Sequence, residues 1–158
     1  MSPARKTAFE YAARILGIRA HSTGELRIKL RKKEYSKREI EEVIAEFTRL
    51  GYLNDALFAE SLCANLSARG NGKRKIFSRL RTKGIDNTLL KEVLEKHEED
   101  LPEEESAVAA LSRKMPSLRR EPDERKRKEK ALRFLAGRGF SAAAVYAAWN
   151  RLSGGRPD

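Results

Sequence analysis

A single cysteine, Cys63, stands in the chain. No intramolecular disulfide can form, which suits a reducing cytoplasm and excludes a small secreted scaffold held by cross-links. Histidine is nearly as scarce: His21 and His97 have no second His or Cys at ligand spacing, so no metal site is expected. Long apolar runs are missing too. Gly139 to Asn150, the longest uncharged run near the C-terminus, is far too short to span a bilayer. Glu10 and Arg14 interrupt the apolar residues near the N-terminus, which excludes a signal peptide. Acidic residues are outnumbered, 23 against 34 Lys and Arg, and the net charge of +11 points to an acidic partner, of which nucleic acid is the commonest.

The apolar residues that are present follow the helical period. Ala8, Tyr11, Ala12, Ile15 and Leu16 recur at i, i+3, i+4, i+7 and i+8, one face of an amphipathic helix. Ser22 with Glu25 reads as a capping box ahead of a helix carrying Leu26 and Leu30. Ser36 with Glu39 reads as a second box, ahead of Ile40, Val43, Ile44, Phe47 and Leu50. Gly51 is the expected left-handed stop, because a residue without Cβ accepts positive φ at little cost. No alternating strand of useful length is found, and the fold class is all-α.

This pattern repeats. A displacement of 50 residues brings Leu26 onto Ile76, Leu30 onto Leu80, Tyr35 onto Ile85, Ile40 onto Leu90 and Ile44 onto Leu94. A further 55 brings Leu80 onto Leu135, Gly84 onto Gly139, Ile85 onto Phe140 and Leu94 onto Trp149. The reading is a tandem array of three three-helix repeats, elongated and curved, over residues 4–53, 54–100 and 103–152, with a disordered tail at 153–158. Pro116 to Asp123, with two prolines, reads as a longer internal connection in the third repeat. A unit of about 50 residues buries little apolar surface alone, so neighbours are expected to stack and share a core.

Charge is distributed as regularly as hydrophobicity. Arg27 to Arg38 carries +6, Arg69 to Lys83 +7 and Arg125 to Arg138 +6, leaving −8 for the rest of the chain. If the units stack in similar orientations, the middle helices form a basic ridge able to track a phosphate backbone or an acidic protein groove. The plain alternative is a set of solvated helix faces balanced by acidic helices beside them; recurrence in three units favours the ridge. Tyr11, Phe47, Phe58, Phe77, Phe140 and Trp149 lie on or beside apolar stripes and read as core rather than as base-stacking platforms.

Catalytic chemistry needs converging groups, and few are on offer. His21 precedes the Ser22 cap and reads as packing on a helix start, His97 as part of a solvated helix end, and Cys63 as a small buried hydrophobe. Gly70-Asn71-Gly72-Lys73-Arg74 has a superficial likeness to a phosphate-binding loop, but it lacks that motif's spacing and its Ser or Thr. It reads as a helix-to-helix turn whose glycines permit close backbone packing. No catalytic, metal-binding or cofactor-binding residue is assigned, and the chain is read as a non-enzyme.

The residues and their order are similar to the bacterial recombination regulator family RecX. The likeness rests on Ala13-Arg14-Ile15-Leu16, His21-Ser22, Glu25-Leu26 and Lys29-Leu30 in the first unit. The second supplies Gly51-Tyr52-Leu53-Asn54-Asp55, Phe58-Ala59, Gly70-Asn71-Gly72 with Ile76, and Lys83-Gly84-Ile85. The third supplies Arg133-Phe134-Leu135, Arg138-Gly139-Phe140 and Trp149. Asn54 departs from the family's usual Asp, although either residue can cap a helix, and Ala142-Ala143-Ala144 is blander than usual. The resemblance implies a curved, cofactor-free array that binds the RecA recombinase. It would dock in the groove of the RecA filament on single-stranded DNA and limit strand exchange, ATP hydrolysis and stimulated repressor cleavage.

The residues expected to carry binding are Arg27, Arg31, Lys73, Arg74, Lys75, Arg79, Lys83, Lys126, Lys130 and Arg133. A cytoplasmic monomer with weak, sequence-blind DNA binding of its own and no membrane contact is expected. Two other classes stay open from the residues alone. One is an autonomous helix-turn-helix-like DNA-binding regulator using the short turns at Gly84 and Gly139. The other is a structural adaptor, which would leave three basic segments unexplained.

Overall fold

The computed structural model describes residues 4–154. Among these residues there are nine α-helices and no strand: α1 (Ala8–Ile18), α2 (Thr23–Lys32), α3 (Lys37–Arg49), α4 (Asp55–Ala68), α5 (Lys73–Thr82), α6 (Asn87–Asp100), α7 (Glu103–Leu118), α8 (Glu124–Gly137) and α9 (Ala142–Leu152). Residues 155–158, most of the expected disordered tail, lie outside the described residues, while Ser153 and Gly154 form a turn that ends α9. No described helix is long and apolar enough to cross a membrane.

Local chemistry sets the helix starts. Thr7, Ser22 and Ser36 each form a complete capping box, with Glu10, Glu25 and Glu39 reaching back to the cap N–H. Asn54, Asp86, Asp123 and Ser141 each accept early N–H groups of the helix they precede. Each such cap is worth about 1 kcal/mol. Asn54 therefore caps α4, with its side chain accepting from the Leu57 N–H. Gly51 takes φ +82° behind α3, as its position in the pattern requires.

Tight helix–helix packing is confined to each successive triplet. In the first unit, Ala8, Ala12 and Ile15 of α1 meet Leu26 and Leu30 of α2 and Ile40, Val43, Ile44 and Phe47 of α3. The second core joins Ala59, Cys63 and Leu66 of α4 to Ile76 and Leu80 of α5 and Leu90, Val93 and Leu94 of α6. The third, built around Leu111, Leu135 and Trp149, is the largest in membership. Tyr35, Ile85 and Phe140 occupy the same repeat position, and all three are buried. Burying one Leu- or Ile-sized side chain contributes about 1.5–3 kcal/mol, so each unit has its own apolar driving force.

Two expectations are corrected. The units do not share one core; three separate hydrophobic clusters exist, and neighbours support each other through polar joints instead. The segment Pro116 to Asp123 is not all connection, because α7 runs through Pro116 to Leu118. Pro116 removes one intrahelical N–H, but Met115 and Leu118 on either side are buried in the third core, and that burial carries the helix on for its last residues.

Candidate functional site

Each middle helix buries one narrow stripe and turns the rest of its surface outward. The stripe is Leu26 and Leu30 in α2, Ile76 and Leu80 in α5, and Ala131 and Leu135 in α8. Two apolar residues four apart occupy one face, so the basic residues between them are displaced toward solvent.

The three middle helices are joined end to end. At the first joint, the start of α2 meets the turn after α5. The Ser22 hydroxyl donates to the Lys83 carbonyl, Lys83 Nζ pairs with Glu25 Oε1 at 2.6 Å, and the Thr23 N–H donates to Asp55 Oδ1 at 2.8 Å. Gly24 and Gly84 touch: a Cβ on Gly24 would lie 2.9 Å from Gly84 Cα. At the second joint, the start of α5 meets the turn after α8 in the same manner. Gly72 N donates to the Arg138 carbonyl at 2.7 Å and Arg74 N to the Gly139 carbonyl at 3.1 Å. These bonds serve the end of the helix that lacks a side-chain cap. A Cβ on Gly72 would stand 2.4 Å from Phe140 N, so the close approach depends on glycine there. In both joints helix carbonyls face a helix N-terminus, so the backbone dipoles align favourably.

The ten expected binding residues fall into two groups. Eight are exposed, while Arg27 and Lys83 are half-buried. Five are engaged inside the molecule. Arg27 pairs with Glu41 at 3.0 Å and Lys130 with Glu121 at 2.8 Å, and these hydrogen bonds hold the Glu41 and Glu121 carboxyls below their usual range. Lys83 is taken by Glu25. Arg74 and Lys75 donate to the Ala136 and Gly137 carbonyls at 3.1 and 3.2 Å, closing the end of α8 within the second joint. The side chains of the other five, Arg31, Lys73, Arg79, Lys126 and Arg133, make no hydrogen bond or ion pair among the described residues, although the charges of Arg31 and Lys126 add to the lowering at Glu41 and Glu121. They are spread over all three middle helices.

Arg79 also lines a groove across the first joint, with Arg19, His21, Tyr52, Leu57 and Phe58 among its walls. Tyr52 and Leu57 are exposed there. Reading by segment charge missed Arg19, Tyr52 and Leu57, since two of them are uncharged and the third lies in the turn after α1. The signal available was an apolar residue out of phase with its helix stripe.

The remaining polar candidates are structural. His21 is buried; its Nδ1 lies 2.9 Å from the Arg19 carbonyl and its Nε2 2.7 Å from Lys29 Nζ. Lys29 can only donate, so the ring is neutral with its proton on Nδ1. Burial, with the Arg19 and Lys29 charges adding to it, lowers its pKa below the ordinary value. Burial pushes the Cys63 thiol up to about 11, which keeps it protonated and unreactive. No group of three or more metal-ligating side chains occurs among the described residues.

Comparison with known proteins falls along the same divisions. Residues 8–47, 54–94 and 102–149 match the family models described as the first, second and third three-helix domains of RecX. The chain is 37% identical over 150 residues to the regulatory protein RecX of Pelodictyon phaeoclathratiforme, covering 92% of this chain and 88% of that one. It is 34% identical to that of Deinococcus radiodurans, covering 91% and 67%. The crystal structure of RecX from Lactobacillus salivarius superposes with a TM-score of 0.79 at 22% identity, covering 92% of this chain and 94% of that one.

Proposed function

The chain belongs to the RecX family of regulatory proteins, and from that membership we propose that it binds the RecA recombinase filament on single-stranded DNA and restrains it in the cytoplasm. The activities restrained are strand exchange, ATP hydrolysis and stimulated repressor cleavage. The observation that carries this reading is the distribution of unengaged cations. Arg31 lies in α2, Lys73 and Arg79 in α5, and Lys126 and Arg133 in α8, on three helices joined end to end. A row of this kind meets a repeating acidic surface at several points. Modest contacts to successive subunits then act together through effective concentration. Inhibition further requires that the protein prefer one filament state, since equal affinity for both shifts nothing.

Autonomous helix-turn-helix binding is less well supported. The turns after α5 and α8 are occupied by the preceding unit, which limits the entry of α6 or α9 into a DNA groove. The test is a single-stranded-DNA-dependent ATPase assay of the cognate recombinase, titrated with the wild type and with an Arg79→Glu, Arg133→Glu variant. The variant is expected to fold with the same helix content and to lose inhibition by at least about tenfold in the concentration required. Unchanged inhibition by the folded variant removes the row from the interface.

A further inference from the structure

At the end of α2, where no other unit docks among the described residues, four cations gather around two tyrosine rings. Arg5, Lys6, Arg14 and Lys33 line one open concavity with Tyr11 and Tyr35, and no carboxylate is among its walls. The Arg5 guanidinium lies 4.4 Å from the centre of the Tyr35 ring. Arg14 and Lys33 lie 5.5 and 5.7 Å from that of Tyr11. Cation–π contact of this kind holds a charged head in place at small cost. The Tyr35 hydroxyl donates to the Lys6 carbonyl at 2.6 Å, and Arg5 donates to the Lys33 carbonyl, so the segment before α1 is tied across the end of α2.

All four cations are exposed, and none forms an ion pair among the described residues. Arg5 adds a small charge effect to the lowering of the Glu39 carboxyl, whose main cause is its bond from the Ser36 N–H at 2.6 Å. A helix C-terminus accounts for Arg5 and Lys33, since cations are favourable there. It does not account for Arg14, in the middle of α1, or Lys6, ahead of it. The repeat supplies a second contrast. Lys83 and Arg138 occupy the position of Lys33 in their units, and both carbonyls are consumed in the joints. In the first unit the Lys33 carbonyl is taken by Arg5 of the same unit, and three of the four cations stand against aromatic rings with no ion pair.

We propose that this concavity is a phosphate-backbone site for single-stranded DNA, separate from the row on the middle helices. Arg14 and Lys33 engage successive phosphates, and Tyr11 orients both. An open cleft with charge spread over two helices fits a strand passing through it better than a small anion, which a closed pocket would enclose.

The test uses the full chain without recombinase, so its result is independent of the filament reading. Fluorescence anisotropy follows binding of a fluorescein-labelled oligo(dT) across a salt series. Arg14→Ala with Lys33→Ala is expected to weaken binding about tenfold. It should also reduce the slope of log K against log salt by about 1.4, since each single-strand phosphate contact contributes about 0.7. Arg38→Ala with Arg49→Ala removes equal charge from α3 and should leave the slope within about 0.3 of wild type. Tyr11→Leu removes no charge; it should weaken binding about threefold with the slope retained. Circular dichroism establishes that each variant is folded. Wild-type binding by the folded double variant overturns the proposal, as does equal loss in the α3 control. In a separate sedimentation assay with recombinase filaments, loss of filament binding by the double variant with oligo(dT) binding retained also overturns it, and assigns the cluster to an acidic protein surface instead.

Discussion

The two joints occupy the same place in the repeat and are built from different chemistry. The second is centred on backbone: Gly72 N and Arg74 N reach the carbonyls of Arg138 and Gly139, with the Arg74 and Lys75 side chains donating to the Ala136 and Gly137 carbonyls beside them. Glycine is required on both sides, since a Cβ on Gly139 would lie 2.7 Å from Lys75, and Gly139 itself sits at φ +92°. The first is made by side chains: the Ser22 hydroxyl, the Glu25–Lys83 ion pair and the Asp55 carboxylate. Both joints use a close glycine approach, but the first adds the Glu25–Lys83 ion pair, which responds to pH and salt, while the second rests mainly on bonds to main-chain carbonyls. Evolution of sequence at equivalent positions can thus retain a docking geometry while exchanging what enforces it.

The sharpest way to break the second joint is Gly72→Ala. Its Cβ meets main-chain atoms that cannot yield as a flexible side chain would, and the expected cost is about 3 kcal/mol in urea denaturation. Gly24→Ala at the first joint should cost about 1–2 kcal/mol, because the contact there is 2.9 Å rather than 2.4 Å. Equal losses would abolish the contrast.

Acid separates the joints next. Although burial alone raises it, hydrogen bonds from Arg19, Lys83 and the Ser22 N–H bring the Glu25 carboxyl down to about 2. A carboxyl depressed in the folded state contributes stability above its unfolded pKa of 4.5, and that contribution is lost as pH falls from there toward 2. With solvent screening the loss is about 1–2 kcal/mol. His21 acts in the same direction at higher pH. Its folded pKa lies below 6.5, so protonation favours the unfolded chain as pH falls beneath that value. Denaturation midpoints across this range should decline in the wild type and decline less in Glu25→Gln.

A smaller effect is expected from Lys83→Met, which keeps the aliphatic stem and removes the charge. It should cost about 1 kcal/mol at low ionic strength, and the difference should shrink in high salt. The smallest effect is on reactivity. Cys63 lies in the core of the unit between the joints, and a shift from 9.0 to about 11 lowers its thiolate fraction about 100-fold. Labelling by a thiol reagent should be correspondingly slow. Gly72→Ala should accelerate it, and Lys83→Met should leave it nearly unchanged; acceleration by both would mean that the joints are equivalent supports.

Much of this architecture is legible in local patterns. The Ser22 and Ser36 capping boxes, the Gly51 stop and the repeat from Leu26 to Ile76 rest on rules that act within a few residues. The role of the Gly70-Asn71-Gly72 turn as a site of close backbone packing is also readable. The joints are not, because their partners stand about 60 residues apart in sequence, and no periodicity reports which carbonyl a side chain will find. Arg74 and Lys75 illustrate the cost of that blindness. As members of a basic run they look identical to Lys73, yet they close the end of α8 while Lys73 remains unengaged. Pro116 misled in the opposite sense, since a local breaker was overridden by burial on either side.

Glu34 takes φ 61°, the only non-glycine among the described residues in that conformation, at the repeat position of Gly84 and Gly139. Those two glycines leave room for the unit ahead to press against bare main chain. At Glu34 a side chain fills that room, and Arg5 lies across the adjacent carbonyl. The first unit thus closes the end of α2 with its own side chains, where the other two units leave main chain bare for a neighbour.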